Sequence, residues 1–187
     1  AYGRPVHFCH ISRREEIELI AQAKAAGLPV TCEVTPHHLF LTEADAARLG
    51  PLGDMRPLLG TPSDVAALWE HINDTVDCIA TDHAPHTREE KAKPYPASPS
   101  GMTGVQTLVP IMLDHVAAGR LSLERFVDLT SAGPQRVFNI AGKGRIALGY
   151  DADLTIVDLA HKRRIENKWI ASRAGWTPFD GMTVTGW

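Results

Sequence analysis

An aspartate and two histidines directly follow a short apolar segment near the middle of the sequence. Residues 76–80 read Val-Asp-Cys-Ile-Ala, and Asp82, His83 and His86 come next. We predict a buried strand that ends just before Asp82. In parallel α/β enzymes the chemistry lies at the carboxyl ends of the strands, where an aspartate can bind a metal ion or move a proton. A polar turn after the strand is the alternative interpretation for Asp82 taken alone.

Strand and helix patterns alternate before this segment. Residues 6–11 and 29–34 have the composition of strands, and apolar residues at helical spacing occupy 15–26 and 64–72. With the strand at 77–80, this order predicts parallel βαβ units. Three strands are too few to close a barrel, which takes eight. We therefore expect the chain to be part of a larger α/β domain.

The predicted strand ends carry side chains that suit a metal site. Cys9 and His10 lie near the end of the first strand, Glu33 near the end of the second, and Asp82 after the third. Because parallel strand ends meet at one edge of a sheet, we expect these groups to lie close together, with Arg56 in a neighbouring loop. Imidazole, carboxylate and thiolate ligands together suit zinc.

The remaining sequence is helical at first and then changes in character. We predict helices at 105–118, 122–130 and 134–139, and a weakly structured stretch at 41–62. Residues 144–159 have the pattern of two short strands joined by a Gly/Asp turn.

Composition excludes several classes of function. The 187 residues carry a net charge of −3, which gives no basic surface for nucleic acid or an anionic membrane. No apolar run approaches the roughly 20 residues that span a bilayer. Cys9, Cys32 and Cys78 form no disulfide framework, so we expect a reducing cytoplasm. The sequence lacks an initiator methionine, and we expect a processed chain or part of a longer protein.

Three blocks of sequence resemble one family. Residues 10–16 read His-Ile-Ser-Arg-Arg-Glu-Glu, residues 31–39 Thr-Cys-Glu-Val-Thr-Pro-His-His-Leu, and residues 81–87 Thr-Asp-His-Ala-Pro-His-Thr. Together they resemble dihydroorotases of the amidohydrolase superfamily, most of all the dihydroorotase domain of the animal multifunctional pyrimidine-synthesis protein. The resemblance implies strands six to eight of a (β/α)8 barrel. Residues 1–141 would supply these last three βα units, and 142–187 part of a small β-sandwich.

The resemblance also implies a metal site. His10 matches a ligand of one zinc of a binuclear pair, and Asp82 matches the metal-bound aspartate that moves the proton. Cys9 and Glu33 match positions that hold an additional metal in some animal-type members. A core histidine is the alternative for His10. For Cys9, a regular strand would point its side chain away from that of His10, so both can face one site only if the strand end is distorted.

Substrate-binding residues follow from the same resemblance. His86 matches a residue that binds the substrate carboxylate, Arg56 one that contacts substrate, and Ser100 and Gly101 a loop whose backbone reaches the substrate ring. A loop turn, a solvated surface arginine and a flexible linker are the respective alternatives. The neighbouring pair at 37–38 invites a zinc assignment, but the resemblance makes neither histidine a ligand, and we expect packing or loop hydrogen bonding there. We expect no functional role for His7, His71, His115 or His161.

The implied activity is the reversible, zinc-dependent cyclisation of N-carbamoyl-L-aspartate to L-dihydroorotate in pyrimidine synthesis. The family's His-x-His pair, carboxylated lysine and further histidine ligand are absent from this sequence, so we expect the chain alone to be inactive. A homodimer and association with a carbamoyltransferase are the expected partnerships of the complete protein. The alternatives are another cyclic amidohydrolase (dihydropyrimidinase, hydantoinase or allantoinase) or a non-catalytic scaffold subunit.

Overall fold

Three parallel strands form the sheet at the centre of the fold. The computed structural model describes residues 3–94 and 96–187. Strands β1 (Val6–Phe8), β2 (Val30–Val34) and β3 (Cys78–Ile79) lie in that order, and β2 pairs in parallel with both neighbours. The predicted βαβ order is therefore confirmed, whereas the assignment of these strands as six to eight of a barrel stays a prediction.

Helix α1 (Arg14–Ala25) connects β1 to β2. It begins one residue before the predicted range of 15–26, where the Glu16 carboxylate accepts hydrogen bonds from the backbone N–H groups of Ser12 and Arg13, each at 3.0 Å. The helix buries Ile17 and Ile20 against the sheet side of the core. Gly27 lies two residues beyond the end of the helix, and its φ of 73° suits a residue without a side chain.

The stretch at 41–62 is more regular than its sequence suggests. Helices α2 (Pro36–Phe40) and α3 (Glu43–Leu49) precede a 3₁₀ turn at Gly50–Gly53. Helix α3 begins where the Asp45 carboxylate accepts a 3.0 Å hydrogen bond from the backbone N–H of Thr42. This Thr-x-x-Asp capping pattern stabilises a short helix that buries none of its residues, which is why apolar spacing alone missed it.

Helix α4 (Pro62–Glu70) leads into β3 and uses the same kind of cap. The Asp64 carboxylate accepts a hydrogen bond from the backbone N–H of Thr61 at 2.7 Å, and the helix therefore begins two residues before the predicted range of 64–72. The remaining helices and turns are α5 (Arg88–Lys91), α6 (Leu108–Ala117), α7 (Leu123–Val127), a π-helical turn at Asp128–Ala132 and α8 (Gly133–Phe138).

The predicted strands within 144–159 are wrong. The structure assigns no strand to these residues, and Ile146, Leu148 and Ile156 are almost fully exposed. A strand needs a continuous hydrogen-bonding neighbour, and within the described residues no ladder forms along this segment, although Asp158 near its end exchanges backbone hydrogen bonds of 2.7 and 2.9 Å with Trp187. The small antiparallel sheet forms further along, where β4 (Lys162–Arg164) pairs with β5 (Thr183–Thr185).

One hydrophobic core joins the two parts of the chain. The buried cluster includes Ile17, Leu68 and Ile111 together with Trp176 and Val184 from the last part of the sequence. The division at residue 141 stays a prediction. Within residues 3–94 and 96–187, no helix has the length and apolar character needed to cross a membrane.

Candidate metal and substrate site

The backbone is left-handed at both predicted metal ligands that end strands. His10 has φ of 41° and Asp82 has φ of 44°. Residues other than glycine rarely adopt this conformation, which costs about 1–2 kcal/mol. The one other such residue in the described chain, Asn139, lies at the end of α8, where a left-handed cap is ordinary. Local strain of this kind is therefore concentrated at the two strand ends that carry His10 and Asp82.

The positive φ at His10 is the kind of distortion at the end of a strand that a site shared by Cys9 and His10 would require. β1 ends at Phe8, so the alternation of a regular strand no longer controls the two residues that follow it. Partial burial, and then the carboxylates of Glu33 and Asp82, raise the pKa of the Cys9 thiol. We call the four predicted ligands Cys9, His10, Glu33 and Asp82 the strand-end cluster; of these, Glu33 alone belongs to the group of donor atoms that lie within 4.8 Å of one another among the described residues.

His10 and Asp82 also share a neighbour. Burial lowers the pKa of His38, while His10 and Asp82 act on it in opposite directions through their charges. Among the described residues, neither the Asp82 carboxylate nor the His10 imidazole has a hydrogen-bond partner in the chain. Both side chains therefore keep their donor atoms available for a ligand.

A second group of possible metal-binding side chains shares Glu33 with the strand-end cluster. The Nε2 of His7 is 3.1 Å from a carboxylate oxygen of Glu33, and ligand atoms of His7, Glu33 and Cys78 all lie within 4.8 Å of one another. The strand register explains this, because His7 is opposite Thr31 and Glu33 is opposite Cys78. Burial and then Glu33 raise the pKa of the Cys78 thiol to about 12.

This group was missed in the sequence, where His7 is given no role. The sequence pattern that could have revealed this group is the two-residue spacing along each strand. This spacing places His7 on the same face as Cys9, and Thr31 on the same face as Glu33. Nitrogen, oxygen and sulfur donors at these separations fit zinc. The 2.9 Å contact between His7 Nδ1 and the Thr31 hydroxyl would fix the orientation of the ring.

The two adjacent histidines have different surroundings. Thr35 precedes α2, and its hydroxyl contacts Nδ1 of His38 at 2.8 Å, while Nε2 of His38 donates to the Pro57 carbonyl at 3.0 Å. His38 thus connects the start of α2 to the loop that contains Pro57. His37 is buried, and its Nε2 has no hydrogen-bond partner among the described residues. Burial, then the nearby His38 and His10, lower the pKa of His37 to about 2.

The predicted substrate-binding side chains are more accessible. The Arg56 side chain is 53% exposed, pairs with the Asp54 carboxylate, and donates to the Met55 carbonyl at 3.1 Å. His86 is half-buried, and its Nδ1 is 3.8 Å from a carboxylate oxygen of Glu90. Its backbone carbonyl accepts a 2.8 Å hydrogen bond from the Trp176 indole.

The Ser100–Gly101 loop packs directly against the Asp82 segment. Gly101 has φ of 132°, and a Cβ at this position would lie 2.6 Å from the Cβ of Ala84. Ala84 donates its N–H to the Met102 carbonyl, and Gly101 donates its own to the Asp54 carbonyl, each at 3.0 Å. The loop is therefore bonded to the segment that follows Asp82 and to the segment that carries Arg56.

Comparisons with known proteins place this geometry in context. A sequence profile described as "Amidohydrolase family" matches residues 5–186. The chain is 42% identical over 186 residues to multifunctional protein CAD of Squalus acanthias, covering 99% of this chain and 8% of that protein. It is 43% identical over 189 residues to a dihydroorotase of Methanosarcina mazei, covering 96% of this chain and 41% of that protein.

A solved structure shares the fold. L-hydantoinase (dihydropyrimidinase) from Arthrobacter aurescens superposes with a TM-score of 0.92 at 35% sequence identity. The match covers 98% of this chain and 42% of that one. The chain therefore spans less than half the length of the proteins it resembles.

Proposed function

This chain belongs to the amidohydrolase family, and we propose that the protein containing it is a dihydroorotase that interconverts N-carbamoyl-L-aspartate and L-dihydroorotate in pyrimidine synthesis. The observation that carries the proposal is the pair of left-handed strand ends at His10 and Asp82, with Cys9 and Glu33 beside them. The identities of 42% and 43% to the two relatives named above support the choice of substrate.

Zinc fits the donor set of the strand-end cluster. His10 and Asp82 would hold metal of the binuclear pair, and Cys9 and Glu33 would hold an additional ion, with His7 and Cys78 close to the Glu33 carboxylate. Bound zinc would polarise the amide carbonyl and lower the pKa of water to about 7. The left-handed backbone at His10 and Asp82 would aim both side chains at the common site.

Asp82 would move the proton. In the hydrolytic direction its carboxylate would take a proton from the attacking water and return it to the ring nitrogen as the amide bond breaks. In the direction of ring closure the same carboxylate would take that proton from the nitrogen as it attacks the carboxyl carbon, and would pass it to the oxygen that leaves as water. A positioned general base of this kind contributes about 10²–10⁴-fold to the rate.

The substrate carboxylate would be bound by His86 and Arg56, and the ring by backbone groups of Ser100 and Gly101. Orienting the ring in this way converts binding into positioning of the amide carbonyl near Asp82. The hydrogen bonds that join the Gly101 loop to the Asp54 and Ala84–Met102 segments support a shared role for these loops.

A substrate panel tests the proposal. The protein, expressed from its complete coding sequence and loaded with zinc, is assayed on L-dihydroorotate, dihydrouracil, hydantoin and allantoin. We expect turnover of dihydroorotate and, in reverse, of N-carbamoyl-L-aspartate, with little turnover of the three rings that lack the carboxylate. Turnover of dihydrouracil or hydantoin in preference to dihydroorotate would overturn the substrate assignment.

A cyclic-amide hydrolase of another specificity is the second candidate, because the structural match to the hydantoinase is close. His86→Ala and Arg56→Ala distinguish the two: a dihydroorotase loses affinity for its charged substrate, whereas a hydantoinase does not depend on these charges. A non-catalytic scaffold is the third candidate, and the absence of bound zinc in the intact protein would favour it.

The remaining properties follow from the same proposal. We expect the 187-residue chain alone to bind zinc weakly and to lack turnover, since a binuclear centre needs more ligands than His10 and Asp82. We also propose a cytoplasmic location, in keeping with the three free cysteines. A homodimer is the oligomeric state that we propose for the complete protein. Association with a carbamoyltransferase is proposed because one relative is a multifunctional protein.

A further inference from the structure

A buried lysine connects the loops that carry the predicted substrate-binding residues. Lys91 ends helix α5 and has no exposed surface. Its ammonium donates to three backbone carbonyls, those of Asp54 at 2.8 Å, Pro99 at 3.0 Å and Gly101 at 3.1 Å. An ammonium has three N–H donors, so these carbonyls use all of them.

The three carbonyls come from two separate loops. Asp54 precedes Arg56 by two residues, and Pro99 and Gly101 flank Ser100. Lys91 itself belongs to α5, which begins two residues after His86, and a carboxylate oxygen of Glu90 in this helix is 3.8 Å from Nδ1 of His86. Lys91 is thus bonded to, or continuous with, each segment that carries a predicted substrate contact.

The bonds require a charged lysine, although burial disfavours one. Burial lowers the pKa of Lys91, while the Asp54 carboxylate opposes that change. A neutral amine has two N–H donors and a lone pair, which would face one of the carbonyls and leave it unsatisfied. Lysine is almost never fully buried unless its ammonium has hydrogen-bond or charged partners. An apolar residue of the same length would fill the same space without the cost of burying a charge.

We propose that Lys91 is a positioning residue that holds the Arg56 segment, the Ser100–Gly101 loop and the His86 helix at the spacing needed to bind a carboxylate-bearing substrate. The proposal rests on the proposed function for the identity of that substrate. The three hydrogen bonds of Lys91 do not depend on which substrate is bound, because both their donors and their acceptors belong to the chain.

The test replaces Lys91 in the complete zinc-loaded protein. Lys91→Met keeps the length of the side chain and removes all three donors, Lys91→Arg restores charge and donors, and Lys93→Met removes an exposed lysine two residues away as the matched control. For Lys91→Met we expect KM for dihydroorotate to rise about 10- to 100-fold, with a smaller change in kcat and unchanged zinc content. Lys91→Arg should recover part of the affinity, and Lys93→Met should match the wild type.

Hydrogen–deuterium exchange separates this proposal from the proposed function. In Lys91→Met we expect faster exchange in peptides that contain the amides of Gly101 and Ala84, and no change in Lys93→Met. If the wild type does not turn over dihydroorotate but exchange rises, the proposed function fails and the positioning role stands. If KM and exchange are both unchanged in Lys91→Met, the positioning role is wrong. Should that variant not fold, the same readouts are applied to Lys91→Arg, whose KM must then lie above that of Lys93→Met.

Discussion

The three segments that form β1 to β3 and the segment at 144–159 all have the sequence pattern of strands, but only the first three pair into a sheet. β1 to β3 pair in parallel and end in the strand-end cluster, whereas residues 144–159, which we call the outer segment, form no strand. In the outer segment Ile146 and Ile156 are 92% and 94% exposed. The difference shows that strand-like composition describes a residue's preference, and that a neighbour with free backbone groups decides whether the strand forms.

The parallel strands and the outer segment also differ in where strain is placed. The paired strands are regular until their last residues, and the left-handed backbone then occurs at His10 and Asp82. Strain can persist only where surrounding bonds hold it in place. Here Ile11 donates its N–H to the Glu33 carbonyl at 2.9 Å and Ala80 to the Val34 carbonyl at 3.1 Å. A well-paired sheet therefore permits the distorted ends that a site requires.

The largest expected effect tests whether chemistry belongs to the strand-end cluster. Asp82→Asn removes the proton-accepting carboxylate and leaves the side-chain volume unchanged, so we expect kcat/KM of the complete protein to fall by about 10²–10⁴-fold. Steady-state assays with dihydroorotate measure it. The control is Asp153→Asn in the outer segment, where the aspartate side chain is 77% exposed. A loss of less than about tenfold in Asp82→Asn, or an equal loss in both variants, would contradict the assignment.

A smaller effect concerns the buried histidine beside the cluster. The pKa of His37 is about 2 in the folded chain against an ordinary 6.5, because burial disfavours its charged form. At pH values between about 2 and 6.5, His37 binds a proton in the unfolded chain but not in the folded chain. The free energy of unfolding is therefore highest above pH 6.5 and decreases as the pH falls through this range. The expected loss between pH 7 and pH 5 is about 2 kcal/mol from this group.

Urea unfolding at several pH values measures this loss. His37→Phe keeps a buried ring and cannot be protonated, so its free energy of unfolding should depend less on pH than that of the wild type. His161→Phe, at an exposed position outside the strands of the parallel sheet, should retain the wild-type slope. Equal slopes for wild type and His37→Phe would mean that folding does not lower the pKa of His37.

Residues of the site that follow directly on apolar runs were predictable. Asp82 and His10 are polar residues placed just after such runs, and that pattern is visible without any register. Apolar spacing predicted the helix at 62–70, although its start was placed two residues late, at 64. The helix at 43–49 was also within reach, because Thr-x-x-Asp appears at its start. Apolar spacing missed it because it buries no residue.

Other parts of the site depend on which segments meet. His7 was missed because its contact with Glu33 follows from the register of β1 on β2, which the sequence does not state. Lys91 was missed because lysines are mostly exposed and its partners are backbone carbonyls from positions 54, 99 and 101. The left-handed backbone at His10 likewise depends on the neighbouring strands.

The smallest expected effect tests the outer segment itself, with the same substitution at two isoleucines. Ile165 is fully buried in the core, so Ile165→Ala should cost about 2–5 kcal/mol of unfolding free energy. Ile146 is 92% exposed, so Ile146→Ala should change it by less than about 0.5 kcal/mol. Urea unfolding of the 187-residue chain and of the complete protein compares them. If Ile146→Ala destabilises the complete protein alone, by more than about 1 kcal/mol, sequence beyond these residues covers the outer segment. In that case the outer segment forms its predicted strands when another segment is present to pair with them. It would then differ from β1 to β3 in the availability of a hydrogen-bonding neighbour and not in its sequence.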